Sequence, residues 1–318
     1  MTHLAPLRRR SLLSLAGLGA GAALLAACGG EEGSGGGDAG IEVVTSNYPL
    51  SYLVTRIGGE RVSLTDLATP GADAHGLELS VQQVMAVQEA GLVLQIPGYQ
   101  TALDDAIASG PGDNVLDVSS VVAMISADGH SHEHEASDGG GEDEHAHGGD
   151  DPHLWHDPQR MAEIGDALAA RLGEIDPDGA EAFTAAAAEV RTDLEALDAE
   201  LAEEFGAVDG ERTFITSHAA YAYLAERYTL HQVGIAGVDP ESEPSPQRLL
   251  ELEKVITEEG VTTIFFETTA SPKVAQTLAE NVGIRSEELD NLETQLSEDA
   301  DYPAVMRENA RKLVESWS

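Results

Sequence analysis

The feature that most constrains the fold of this chain is a long stretch with helical periodicity, which separates two stretches of alternating strand and helix patterns. The helical stretch starts near Asp176 and continues to about Phe205. With a rise of about 1.5 Å per residue, a helix of about 30 residues is roughly 45 Å long, which exceeds the width of one small lobe. The sequence therefore predicts a helix that bridges two lobes.

The patterns on both sides of this helix are typical of βαβ units. Extended apolar runs alternate with helical runs, and this alternation favours mainly parallel sheets. The predicted fold class is α/β, with two βα lobes joined by a long rigid linker helix. The predicted strands are residues 41–46, 61–67, 92–96 and 115–118 before the helix, and 212–216, 230–235, 261–266 and 284–289 after it.

Two serine-proline pairs predict helix starts in the second lobe. Ser245-Pro246 and Ser271-Pro272 each place an N-cap residue before a proline that suits the first helical position. We expect one helix to begin at each pair, before and after the strand at 261–266.

The first 40 residues indicate export followed by a tether. Three arginines at 8–10 precede an apolar run from Leu12 to Ala27, so residues 1–27 have the pattern of a signal peptide that is removed. Residues 28–40 are glycine-rich and predict a flexible tether. The remaining predicted boundaries are an N-terminal lobe at 41–175 with a histidine- and acid-rich loop at 126–150, the linker helix at 176–206, and a C-terminal lobe at 207–318.

The single cysteine, Cys28, directly follows the apolar run. The sequence Leu-Ala-Ala-Cys at 25–28 resembles a bacterial lipobox, in which the thiol is acylated and becomes the mature N-terminus. We therefore expect an exported lipoprotein that its lipid anchors to the outer face of the cell membrane. The arginines fit both a general secretory signal and a twin-arginine signal, so the export route stays open.

The strongly acidic composition restricts the class of partner. Lys and Arg number 17 against 57 Asp and Glu, which gives a formal net charge of −40. A nucleic-acid partner would need a basic face, so the charge argues against one. It is compatible with a cationic ligand, although acidity is also an ordinary adaptation for solubility.

Four residues carry the candidate chemistry: His75, His153, His218 and Asp290. Each follows a predicted strand directly or through a loop. Because the carboxyl ends of strands border the ligand crevice in open α/β sheets, these side chains can converge from two lobes. Three neutral imidazoles and one carboxylate form a tetrahedral set that suits Zn²⁺, whereas a carboxylate-rich set would favour Mn²⁺.

Six stretches of the chain have the pattern of one known family: residues 43–50, Pro-Gly-Ala-Asp-x-His at 70–75, Asp-Pro-His-Leu-Trp at 151–155, Ser-His-x-Ala-Tyr-x-Tyr at 217–223, 246–249 and 265–267. In these stretches the chain resembles the metal-binding proteins of bacterial zinc and manganese ABC importers, over essentially its whole mature length. The resemblance implies two βα lobes joined by a rigid helix, with the metal between them. It implies as partners an importer permease with its cytoplasmic ATPase, and a monomeric binding protein. Zinc-type members place histidine where manganese-type members place glutamate, and His218 stands there, so the chain looks zinc-type.

The sequence departs from this family at the turn that contains Asp290. The family's Leu-Asp-Pro-Leu-Gly turn appears here as Leu-Asp-Asn-Leu-Glu at 289–293, without the proline and the glycine. Glu267 and a water molecule are therefore the alternatives to Asp290 as the fourth ligand.

The loop at 126–150 contains further histidines with alternate spacing, which an extended chain can present on one side. Such a tract is typical of weak, exchangeable Zn²⁺ capture, and a solvated insert without a role is the alternative. These histidines are His130, His132, His134, His145 and His147.

Two other function classes remain as alternatives. A zinc hydrolase would also use three histidines, but the sequence lacks a His-Glu-x-x-His helix, and its candidate ligands are spread from position 75 to position 290. We therefore expect no enzyme. A surface adhesin or metal buffer without an importer is the other alternative.

Overall fold

The computed structural model describes residues 40–127, 149–240, 242, 244–269, 271–297 and 301–318. The predicted signal peptide, Cys28 and the five loop histidines lie outside the described residues. The strands are β1 (Ile41–Thr45), β2 (Val62–Asp66), β3 (Leu92–Gln95), β4 (Val115–Asp117), β5 (Thr213–Thr216), β6 (His231–Gly234), β7 (Thr263–Glu267) and β8 (Arg285–Leu289). The helices are α1 (Tyr48–Gly58), α2 (Val81–Glu89), α3 (Thr101–Ala108), α4 (Pro158–Ile175), α5 (Ala180–Gly206), α6 (Ala222–Tyr228), α7 (Pro246–Glu259), α8 (Lys273–Val282) and α9 (Tyr302–Ser316).

The strands form two four-stranded parallel sheets with the same connectivity. The first sheet has the order β2-β1-β3-β4 and the second the order β6-β5-β7-β8. The predicted fold class, two βα lobes with parallel sheets, is confirmed. In each sheet the strand order reverses between the first and third strands of the lobe, and a ligand crevice is expected beyond their carboxyl ends.

The two predicted helix starts in the second lobe differ in their caps. Ser245 accepts a hydrogen bond from the backbone N–H of Arg248, and α7 begins at Pro246 as predicted. At the second serine-proline pair the helix begins one residue later than predicted. Pro272 itself is the N-cap residue there, and α8 begins at Lys273 without a side-chain cap.

The long helix α5 links the two lobes. It begins at Ala180 because residues 176–179 form a turn, in which the Asp176 carboxylate accepts a hydrogen bond from the backbone N–H of Gly179. Its buried side chains recur every three or four residues, so one stripe faces the core. These side chains are Phe183, Ala187, Val190, Leu194, Leu197, Asp198, Leu201 and Phe205.

One hydrophobic cluster runs through both lobes and the linking helix. It includes Val43 and Leu92 of the first sheet, Leu194 of α5, and Phe214 and Phe265 of the second sheet. Because the lobes share this packed cluster, a change in their relative position must disturb close-packed apolar contacts. Among the described residues, no helix has both the length and the hydrophobicity that a membrane crossing requires.

Candidate metal centre

Four buried or half-buried side chains from both lobes converge on one point. They are His75 and His153, from the chain before α5, and His218 and Glu293, from the chain after it. One ligand atom from each residue lies within 4.8 Å of the ligand atoms of the other three. The three histidines predicted from the sequence are thus brought together.

The spacing of these atoms matches a tetrahedron around a small divalent cation. Five of the six distances among the three imidazole Nε2 atoms and Glu293 Oε1 lie between 3.1 and 3.7 Å. Bonds of about 2.0–2.1 Å from Zn²⁺ to nitrogen and oxygen give a tetrahedral edge of about 3.3 Å. The arrangement can therefore hold such a cation with little movement of the side chains.

His75 is held in a turn of the first lobe. The Asp73 carboxylate accepts a hydrogen bond from the backbone N–H of His75 at 3.0 Å, and the Gln100 side chain donates one to Ala74 O at 2.8 Å. The ring of Tyr99 makes an edge contact with the His75 ring at a centroid distance of 4.8 Å. These contacts fix both the backbone and the ring of His75.

His153 is completely buried and is oriented by a carboxylate. Its Nδ1 lies 2.8 Å from Asp151 Oδ1, so Nδ1 donates to that carboxylate and Nε2 faces the centre. Burial lowers the pKa of His153, but the Asp151 carboxylate, helped by Glu293, outweighs burial and raises it to about 9. A bound cation must therefore displace a proton from His153.

His218 follows β5 and is held by the end of β7, at the switch point of the second sheet. Glu267 Oε1 accepts a hydrogen bond from the backbone N–H of His218 at 3.3 Å and lies 3.3 Å from its Nδ1. Glu267 is fully buried but is not one of the four converging residues. Glu267, which the sequence left as an alternative fourth ligand, is therefore placed behind His218 as an orienting carboxylate.

The fourth converging residue is Glu293, not Asp290 as the sequence led us to expect. The Asp290 carboxylate accepts a hydrogen bond from the backbone N–H of Leu292 at 2.8 Å and so closes its own turn. Leu292 has a left-handed backbone with φ of 62°, which redirects the chain so that Glu293 enters the centre. The backbone N–H of Tyr48 then binds Glu293 O at 3.2 Å.

Sequence reasoning missed Glu293, although a signal for it was present. Asp290 and Asn291 are short polar side chains, which favour hydrogen bonds to nearby backbone over more distant contacts. The Asn291 side chain does accept the backbone N–H of Glu293, at 3.4 Å. Glu293 is the one long carboxylate in this turn, and its reach could have marked it as the ligand.

The buried carboxylate of Glu293 gives the centre its negative charge. Burial raises its pKa, but the neighbouring imidazoles of His153 and His75 outweigh burial and hold the pKa well below its usual range. Glu293 Oε1 is buried and lies 3.2 Å from His75 Nε2 and 3.7 Å from the Nε2 atoms of His153 and His218. An ionised oxygen in this position is costly unless a cation compensates it.

The fold and the centre define a class of protein: two parallel α/β lobes, joined by a long helix, with a buried set of three histidines and one glutamate between them. The chain belongs to the ZnuA family, the periplasmic component A of zinc-uptake complexes, whose profile matches residues 43–316.

Individual relatives agree with this assignment. The zinc-binding protein AdcA of Streptococcus pyogenes serotype M3 is 31% identical over 285 residues, which cover 86% of this chain and 55% of that protein. The high-affinity zinc uptake system protein ZnuA of Bacillus subtilis is 32% identical, with 92% of this chain and 93% of that protein covered. The solved laminin-binding protein of Streptococcus agalactiae, described as bifunctional with adhesin and metal transporting activity, has 29% identity and a TM-score of 0.74, over 88% of this chain and 100% of that one. The chain thus spans little more than half of the streptococcal AdcA protein.

Proposed function

We propose that this chain is an extracytoplasmic Zn²⁺-binding protein that delivers the ion to an ABC-type importer. The observation that carries the proposal is the closed tetrahedral set of His75, His153, His218 and Glu293 between the lobes. Zn²⁺ is the transported ligand here, and the centre is where the protein carries it.

The donor atoms favour zinc over manganese. Three imidazole nitrogens and one carboxylate oxygen form a set that Zn²⁺ binds well, whereas Mn²⁺ prefers more oxygen ligands. Two carboxylates that are not ligands themselves support the histidines. Asp151 lies beside His153, and Glu267 lies beside His218, on the Nδ1 side of each ring. Such partners orient the imidazoles and increase their basicity, which strengthens metal binding.

A metal site with four protein ligands also argues for ion transport rather than hydrolysis. Catalytic zinc sites use three protein ligands and keep a fourth position for water or substrate. Here four protein ligand atoms converge, and three of the ligands, His153, His218 and Glu293, are buried. A hydrolase would show turnover in the purified zinc-loaded protein, and we expect none.

A competition titration with Zn²⁺ and Mn²⁺ tests the metal. The expected result is one tight Zn²⁺ per molecule that Mn²⁺ displaces only in large excess. His75→Ala, His153→Ala and His218→Ala should each weaken Zn²⁺ binding strongly, because each removes a ligand nitrogen. His231→Ala is the matched control, since His231 contacts Glu259 and lies outside the converging set. Equal affinity for both metals, or an effect of His231→Ala as large as the others, would contradict the proposal.

Delivery and location form the remaining part of the proposal. Residues 1–27 act as the export signal, Cys28 carries the lipid, and residues 28–40 tether the monomeric protein to the outer face of the membrane. The partner is a permease with its cytoplasmic ATPase. Zinc uptake into vesicles that contain both importer subunits should require this chain. Uptake at the same rate without it would exclude the role of carrier.

A further inference from the structure

A cavity of about 190 Å³ lies beside the metal centre, between the two lobes. It reaches two of the four ligands, His218 and Glu293. A larger cavity of about 340 Å³, between α7 and α8, includes none of the ligands in its lining. The other residues that line the smaller cavity are Asp73, Pro240, Thr269, Ser271 and Asn291.

The four ligands differ in how closely they are sealed from solvent. The side chain of His153 is 0% exposed, and those of Glu293 and His218 are each 2% exposed, whereas that of His75 is 13% exposed. The solvent side of the centre is therefore the side of His75, and the nearly sealed ligands are reached through an opening that adjoins them. The cavity adjoins His218 and Glu293, whose ligand atoms belong to the converging set.

The lining of this cavity suits a hydrated cation. Of the lining residues, Thr269 and Ser271 carry hydroxyl groups and Asn291 carries an amide. Hydroxyl, amide and carboxylate oxygens can accept hydrogen bonds from the waters of a hydrated divalent ion. Besides the ligand Glu293, the acidic residue of this lining is Asp73, which is exposed.

Asp73 connects the outside of the cavity to a ligand. Its Oδ1 accepts the backbone N–H of His75, which leaves a negative charge two residues from that ligand and on the solvent side of the centre. A carboxylate at the mouth of a low-dielectric cleft concentrates cations there and increases their rate of association.

We propose that this cavity is the access route of the ion and that Asp73 is its outer carboxylate, which attracts the hydrated cation before the buried ligands replace its water. This inference rests on the proposed function and identifies a residue that controls the rate of loading. Asp73 is not a ligand in the final site. It acts on the association rate, and the ligands determine the affinity.

The experiment measures Zn²⁺ association by stopped flow with the fluorescence of Trp155, whose ring lies 5.2 Å from that of His153. The variant is Asp73→Asn, because the asparagine oxygen can still accept the backbone N–H of His75 while the charge is lost. The matched control is Asp301→Asn. Asp301 likewise accepts a backbone N–H, from Ala304 at the start of α9, but it does not line the cavity.

Asp73→Asn should slow association by about three- to tenfold, and added salt should slow the wild type more than the variant. The equilibrium affinity should change less than the association rate, and Asp301→Asn should behave as the wild type. An association rate unchanged by Asp73→Asn, or slowed equally by Asp301→Asn, overturns the inference. A wild-type chain that does not bind Zn²⁺ would instead overturn the proposed function.

Discussion

The hydroxyl of Thr294 accepts a hydrogen bond from the backbone N–H of Gly71 at 3.1 Å. Thr294 is buried and directly follows the candidate ligand Glu293, while Gly71 lies in the turn that leads to His75. Gly71 has a φ of 75°, a conformation that favours glycine. This bond therefore ties the turns of two ligands from different lobes to each other.

Loss of this bond should loosen the metal centre. Thr294→Val keeps the shape of the side chain but removes the acceptor, and one such bond contributes about 1 kcal/mol, or about fivefold in affinity. We expect Thr294→Val to bind Zn²⁺ about fivefold more weakly, mainly through faster dissociation into a chelator. Thr294→Ser, which retains the hydroxyl, should bind as the wild type does. If both variants bind equally weakly, the hydroxyl is not the cause.

The identity of the fourth ligand can be tested with two conservative variants of the same turn. Glu293→Gln removes the converging carboxylate. Loss of a residue that only orients a ligand weakens metal binding by about 10- to 100-fold, so loss of the ligand itself should weaken Zn²⁺ binding by more than about 100-fold. Asp290→Asn retains an oxygen that can accept the backbone N–H of Leu292, so its affinity should change little. Isothermal titration of both variants measures the difference. A larger loss for Asp290→Asn would restore Asp290 as the ligand.

A partly buried network on the linking helix should make stability depend on pH. Asp198 of α5 accepts two hydrogen bonds from Arg227, one from Tyr228 and one from Gln159. Burial raises the pKa of Asp198, but Arg227 and its other partners outweigh burial and lower the pKa below its ordinary value. The unfolded chain then binds this proton more readily, so the stabilisation is present above about pH 4 and is lost as the pH falls further.

Asp198→Asn should therefore lower the free energy of unfolding by about 1.5–3 kcal/mol at pH 7, and by less near pH 3. Urea titrations of the metal-free protein at both pH values measure this difference. Asp193→Asn is the control, because Asp193 also lies on α5 but forms an exposed pair with Arg56, and it should cost less than about 0.5 kcal/mol. A loss for Asp198→Asn that does not depend on pH would contradict the electrostatic explanation.

Deletion of residues 128–148 should leave one tight Zn²⁺ site and abolish only weaker additional binding. The flanking residues already meet, because Ala127 N donates to Gly149 O at 2.9 Å and Asp151 N donates to Ile125 O at 2.7 Å. A two-residue Asn-Gly turn can therefore replace the deleted segment. Calorimetry on the intact and the shortened chain counts the bound ions. Loss of the tight site would mean that the deleted histidines, not the converging set, hold the ion.

Cys28→Ser should release the protein from the membrane fraction. Acyl chains on the thiol provide the predicted anchor, and the serine variant cannot carry them. Fractionation of cells that produce the two forms, followed by immunodetection, measures the distribution. A variant that stays with membranes after a high-salt wash would contradict the predicted lipid anchor.

The alternation of strands and helices could be predicted from the sequence because it depends on local patterns. The buried side chains of the linking helix α5 recur every three or four residues, and this spacing is visible in the sequence. The helix α7 begins at the predicted Ser245-Pro246 pair. The three histidines could also be predicted, because parallel strands bring their carboxyl ends to one edge wherever the sheets form.

Only the tertiary structure decided which acidic residue completes the centre. Asp290 and Glu293 lie three residues apart, and the local sequence offers both as carboxylates. The choice depends on the left-handed turn at Leu292 and on bonds across the lobes, from Tyr48 N to Glu293 O and from Gly71 N to the Thr294 hydroxyl. Side-chain periodicity is a local property of the chain, whereas these bonds join residues more than 200 positions apart, and they exist only after both lobes have packed against α5.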